Sequence, residues 1–205
     1  MLKDLTLSEY LEKTASGEAT PGGGSIAALC AAAAAGLTEM VANLTVGRKN
    51  YQSVEAEMKD IAGTVSDYRQ KLIRAIDEDP QAYNQVMTAF KLPRGTDAEI
   101  KSRNQAIQNG LKNAALVPMR VAEDAFQIMQ IAEKAIAKGN KNAITDGLVA
   151  VMTARTAALA ALYNVKINLD SITDSAFVEK LSQKTSSLEK QVIEREKKVL
   201  AAAEL

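Results

Sequence analysis

Histidine and tryptophan are absent from this 205-residue chain, and it holds a single cysteine and four prolines. Without histidine there is no Ser-His or Cys-His catalytic pair, and the commonest general base and metal ligand is missing. One cysteine closes no internal disulfide and builds no zinc site; Cys30, inside an alanine run, reads as a small buried hydrophobe. Aromatic residues make up 4% of the chain against 47% hydrophobic residues overall, so the core must be built of thin, close-packed elements. Basic and acidic residues balance at 25 each, which removes the basic excess of a nucleic-acid binder. Chemistry is left to carboxylates, amines, hydroxyls, amides and the backbone. The start shows no basic stretch followed by an apolar run. The uncharged stretch 19–38 is broken by Pro21 and the glycines after it, and its apolar remainder is short and alanine-rich. Those features predict a soluble cytoplasmic protein, with neither nucleic acid nor membrane as partner.

What is present is helical periodicity. Thr6 and Glu9 form a capping box that opens a short helix ending near Gly17. Thr20-Pro21-Gly22-Gly23-Gly24-Ser25 leads into a second helix, 25–47, in which Gly24, Ala28, Ala32 and Gly36 share a face and invite close helix approach. A third, more polar helix spans 53–77. Asp77-Glu78-Asp79-Pro80 then punctuates the chain, with Pro80 placed in the first turn of a short helix ending near Phe90. Thr96 and Glu99 form a second capping box, opening the longest amphipathic stripe, on the order of 60 Å, with Pro118 expected to kink it before Gly139. An alanine-rich helix follows to about Asn164, and the segment 173–203 carries Phe177, Leu181, Leu188, Val192 and Val199 in a heptad-like seam, expected as core or dimer packing. Long helices with short connections predict an all-α antiparallel bundle, with 1–205 as one domain and no solenoid repeat.

Candidate chemistry sits in three places. The glycine cluster lets a ligand approach the backbone at a helix start, although a flexible packing turn has the same composition. Polar side chains stand inside apolar helices: Glu39, Asn43 and Thr45 ahead of Arg48, then Asp146, Arg155 and Asn164. Taken singly they also fit plain structural roles, Asp146 as an N-terminal helix carboxylate and Arg155 as a paired or snorkelling side chain. The acids Asp77, Glu78 and Asp79 read as solvent-side caps unless the segment folds back over the bundle.

Taken together, the segments resemble a known family. Thr20-Pro21-Gly22-Gly23-Gly24-Ser25, continued by Met40-Val41-Ala42-Asn43-Leu44-Thr45-Val46-Gly47-Arg48-Lys49, is similar to the signature of the cyclodeaminase/cyclohydrolase family. That family comprises the C-terminal half of formiminotransferase-cyclodeaminase and stand-alone bacterial relatives, including methenyltetrahydrofolate cyclohydrolases. Asp77-Glu78-Asp79-Pro80-Gln81-Ala82-Tyr83, Leu92-Pro93-Arg94, Val117-Pro118-Met119, Gly139-Asn140 with Thr145-Asp146-Gly147, and Asn164-Val165-Lys166-Ile167-Asn168-Leu169 follow in the family's order. Pro80 and Gly147 stand where the family commonly has alanine, which touches geometry and no reactive group.

The resemblance implies an all-α enzyme acting on reduced folate, a homodimer with its site near the subunit interface. It implies either ring closure of 5-formiminotetrahydrofolate to the 5,10-methenyl compound with loss of ammonia, or hydration of the methenyl compound to 10-formyltetrahydrofolate; the first is preferred as the family's namesake. Neither needs a metal or a cofactor beyond the tetrahydrofolate substrate. Asp146, with Asp79 second, is the expected proton carrier. Gly22, Gly23, Gly24 and Ser25 would line the site, Asn43 and Asn140 would offer amides, and Arg48 and Arg155 would hold glutamate carboxylates. A helical interaction protein without enzymatic activity is the competing reading, and it leaves the glycine cluster and the Asp146 and Asn164–168 segments unexplained.

Overall fold

The structure, a computed structural model, describes residues 1–203. Six α-helices account for most of it: α1 (Leu7–Thr14), α2 (Gly23–Asn43), α3 (Glu55–Phe90), α4 (Asp97–Lys138), α5 (Ile144–Leu169) and α6 (Ser175–Ala202). Short 3-10 turns at Leu2–Asp4, Lys49–Val54 and Lys141–Ala143 complete the connections, and no strand occurs among the described residues. Both capping boxes form as their sequences require, Thr6 with Glu9 and Thr96 with Glu99.

Helices α2 and α5 lie at the centre and run antiparallel. The first packs on α3, the second on α6, and α4 lies against both central helices. Alanine makes this possible. Ala27, Ala28, Ala31, Ala34 and Ala35 of α2 and Ala150, Ala154, Ala157, Ala158 and Ala161 of α5 are completely buried, so these helices approach with little side chain between them. Larger side chains, among them Leu72, Met119, Ile128, Met129 and Leu162, fill the space around them. The α6 seam is core packing: Leu181, Leu188, Val192 and Val199 are buried and Phe177 packs at the edge.

Three expected boundaries differ from the structure: α2 stops at Asn43 short of Gly47, α5 runs past Asn164 to Leu169, and the break before Pro80 is absent. Asp77-Glu78-Asp79-Pro80 ends no helix; α3 runs unbroken to Phe90 with Pro80 inside it. A proline in a helix interior leaves the carbonyl four residues back without its donor. Here that carbonyl belongs to Ile76, and the Ser25 hydroxyl donates to it at 2.8 Å. Pro118 poses the same problem within α4, and the Asn168 side-chain amide donates to the freed Ala114 carbonyl at 3.0 Å. Both helices pass through their prolines because neighbouring helices supply the missing hydrogen bonds. The acids before Pro80 are accordingly not solvent-side caps, and Asp77 is only 7% exposed.

The hydrophobic length of α2 and of the segment Lys141–Leu169 is greater than the sequence alone suggested, since both are long and apolar enough to cross a bilayer. About half of each is buried inside the bundle, as core helices are.

Candidate active site

The glycine loop, the acidic segment and the Asn164 segment meet at one end of the bundle. Gly22 caps α2, so the N–H groups of Gly23, Gly24 and Ser25 in its first turn have no helix carbonyl to pair with, and that of Ser25 is directed at Asp79. The Asp79 carboxylate lies directly against Gly24. A Cβ there would overlap the carboxyl group, with its farther oxygen at 2.8 Å, so no larger residue fits. Gly23 faces α5 less tightly: a Cβ would stand 3.1 Å from Asn164 Nδ2, a contact relieved by a shift of a few tenths of an ångström. Glycine at position 24 is required for close approach of a side chain to the backbone, not for an unusual φ.

Burial pushes the Asp79 carboxyl above its usual pKa, and the neighbouring Ser25 backbone N–H partly offsets that shift. Its neighbour Asp77 accepts a 2.6 Å hydrogen bond from the Leu2 backbone N–H through Oδ1, while Oδ2 has no partner. Tyr10 of α1, 4% exposed, is a residue the sequence reading missed. Its hydroxyl is buried beside Ser25. Burial raises its pKa, and the nearby charges of Asp79 and Asp77 add to the rise. The one hint in the sequence is that Tyr10 is the sole aromatic of a short polar helix. Asn164 was visible as a stranded polar residue; its Nδ2 also donates to Ala160 O at 2.9 Å.

The remaining expected residues lie elsewhere. Asn43 is exposed at the far end of α2, and Asp146 sits in the first turn of α5, half-buried. Since α5 runs antiparallel to α2, the eighteen-residue stretch from Asp146 to Asn164 puts the two ends about 27 Å apart. Arg48 lines a 430 Å³ cleft at that far end with Lys49, Asn50, Tyr51, Asn140 and Asn142. Asn140 spends its side chain on the loop: Nδ2 donates to Leu44 O at 3.0 Å, and Oδ1 accepts from the Asn142 N–H at 3.0 Å. Gly139 is tight as well, since a Cβ would come 3.0 Å from Thr45 Oγ1. Arg155, midway along α5, faces Glu196 of α6 with Nε at 3.4 Å from the carboxylate. The chain thus carries two polar ends, one around Asp79 and one around Asp146.

A half-buried carboxyl with a raised pKa, set against helix-start N–H groups and a side-chain amide, is equipped for proton transfer to a polar ligand. On an all-α bundle this makes a candidate acid–base site built at helix ends. The chain belongs to the formiminotransferase-cyclodeaminase family, whose model matches residues 6–187. It is 38% identical over 174 residues to a methenyltetrahydrofolate cyclohydrolase of Methylorubrum extorquens, covering 85% of this chain and 84% of that one. It is 33% identical over 187 residues to the formimidoyltransferase-cyclodeaminase of Rattus norvegicus, covering 91% of this chain and 35% of that longer protein. The crystal structure of a formiminotetrahydrofolate cyclodeaminase from Thermotoga maritima superposes with a TM-score of 0.86 at 32% identity, covering 97% of this chain and 96% of that one. The chain is an enzyme of this cyclodeaminase and cyclohydrolase type.

Proposed function

We propose that the chain is a cytoplasmic formiminotetrahydrofolate cyclodeaminase. Supporting this reading above all is the convergence of the glycine loop with Asp79, a carboxyl whose raised pKa suits it to hold and give a proton. In the reaction, N10 attacks the formimino carbon and loses its proton, while the amine takes up a proton and leaves as ammonia. The product is the 5,10-methenyl cation. No bond change calls for a metal, a redox partner or a cofactor beyond the folate. Asp79 protonates the leaving amine, the Asn164 amide and the N–H groups at Gly23 and Gly24 hold the ring system, and the Asp79 anion left behind stabilises the product cation.

We assign removal of the N10 proton to a second carboxylate, Asp146. It reaches Asp79 from a second copy of the chain. The uncovered sides of α2 and α5 present Met40, Val149, Met152, Tyr163 and Ile167 to solvent, an apolar face for a homodimer. A two-fold axis in that face and across the helices sets the Asp79 end of one chain against the Asp146 end of the other. Asn43 and Arg48 arrive with Asp146, as additional contacts to the substrate.

A second reading, methenyltetrahydrofolate cyclohydrolase, is favoured by the 38% identical relative of that name. It uses the same groups, with water as nucleophile and Asp146 as its base. One assay tests both. The methenyl compound absorbs in the near ultraviolet, so purified chain should speed its appearance from 5-formiminotetrahydrofolate. Acceleration of its loss alone would assign the cyclohydrolase instead, and no acceleration of either over buffer would sink both.

A further inference from the structure

The face of α3 that packs on α2 does not stop where α2 stops. Arg69, Leu72, Ile76 and Asp79 follow one another along it at steps of three and four, with Arg69 paired to Glu39 at 2.8 Å and Asp79 against Gly24. The same register continues as Tyr83, Met87 and Phe90. Because α2 begins at Gly23, nothing from α2 covers them, and they are 42%, 39% and 47% exposed. Here α3 and α4 run on as a two-helix arm whose tip carries Lys91, Arg94, Lys101 and Arg103. Of the two acids at the tip, Asp97 and Glu99, the second is committed to the Thr96 capping box. None of the four cations forms an ion pair among the described residues. Arg103 donates to the Phe90 carbonyl at 3.1 Å and lies over its ring at 5.6 Å.

We propose that this stripe is the track for the tail of the substrate, with the aminobenzoyl ring on Tyr83 and Met87 and the glutamate carboxylates held by Lys91 and Arg94. The inference rests on the folate reading and adds to it a binding element beyond the glycine loop. An apolar strip that leaves the reactive carboxyl and ends in unpaired cations matches a ligand with a reacting head, an aryl middle and a dianionic tail. From Asp79 to Phe90 the helix rises about 16 Å, long enough to keep head and tail apart. The ring shields apolar surface that α2 leaves bare, and the guanidinium takes a carboxylate in forked geometry. Contacts this far from the reacting carbon are the same in ground and transition states, so they act on KM and leave kcat alone.

The test compares whichever one-carbon substrate the enzyme turns over with the same compound lacking its glutamate. In the wild-type enzyme the glutamate should lower KM about tenfold, as a charge-assisted contact of a few hydrogen bonds would. Lys91→Ala combined with Arg94→Ala should abolish that difference, raising KM for the glutamate-bearing substrate alone and leaving kcat within about twofold. Tyr83→Ser should raise KM for both compounds. An unchanged KM ratio in the double variant overturns the proposal, as does collapse of the ratio in Arg48→Ala instead. A change of mass in Tyr83→Glu by sedimentation would also overturn it, because a second copy would then be the occupant of the stripe. Should the wild-type enzyme turn over neither substrate, the folate reading fails separately. The arm is then judged by titration with p-aminobenzoylglutamate, whose binding must disappear in the double variant.

Discussion

Ser25 makes the hydrogen bond that Pro80 cannot: its hydroxyl donates at 2.8 Å to the Ile76 carbonyl, four residues before the proline. The pairing ties the first turn of α2 to the middle of α3 and holds Asp79 against Gly24. Ser25→Ala strands a buried carbonyl and should cost about 1–3 kcal/mol of stability, read by urea unfolding. In a Pro80→Ala background the helix regains its own donor, so the same substitution should cost clearly less. Equal costs in both backgrounds would remove the link between the two residues.

Gly24→Ala should unfold or distort the active end, since its Cβ overlaps the Asp79 carboxylate. Overpacking of this kind costs about 1–3 kcal/mol. Asp79→Ala in the same chain removes the clash, so Gly24→Ala with Asp79→Ala should regain most of the lost stability without regaining turnover. A double variant no more stable than Gly24→Ala would place the strain elsewhere.

The raised pKa of Asp79 has a defined sign in stability. The native state holds this proton more tightly than the unfolded chain, whose carboxyl titrates near 3.8. Between that value and the raised one the unfolded chain binds fewer protons, so stability falls as pH rises and levels off above the raised value. Asp79→Asn should remove this part of the fall, leaving a flatter profile of unfolding free energy from about pH 4 upward, while turnover is lost. A profile identical to that of the wild-type chain would show that burial does not disturb this carboxyl.

How much of this was legible depends on the range of the interaction involved. Both capping boxes and the long α4 follow from local spacing and form where the pattern puts them, while the alanine helices form with their C-terminal ends shifted by four or five residues. Pro80 misled because the donor that rescues its helix lies 51 residues before the carbonyl that accepts it. No local pattern announces that contact. The same holds for Asn168, which serves the Ala114 carbonyl below Pro118 from 54 residues away. Gly147, where alanine is common in the family, also has a tertiary cause: a Cβ there would stand 2.5 Å from Ile136 Cγ1, so this chain fills the space from α4 instead. The candidate residues were mostly visible as motifs. Their division between two ends of the bundle was not, because it depends on α2 and α5 running in opposite directions.

That division yields the sharpest test of the dimeric site. Asp79 and Asp146 stand at opposite ends of one chain, roughly eighteen helical residues or about 27 Å apart, too far to act on one carbon atom. If a second copy supplies Asp146, Asp79→Asn and Asp146→Asn homodimers are each inactive, yet a mixed dimer has one site with both carboxylates intact and one with neither. Equal amounts, unfolded and refolded together, give half mixed dimers, so about a quarter of wild-type activity should return. Activity that stays at zero after exchange, with mixed dimers demonstrated by mass, would mean that each chain acts alone. Asp146 would then lose its catalytic role, and the base would have to be sought beside Asp79, where the unpartnered Oδ2 of Asp77 is the nearest alternative.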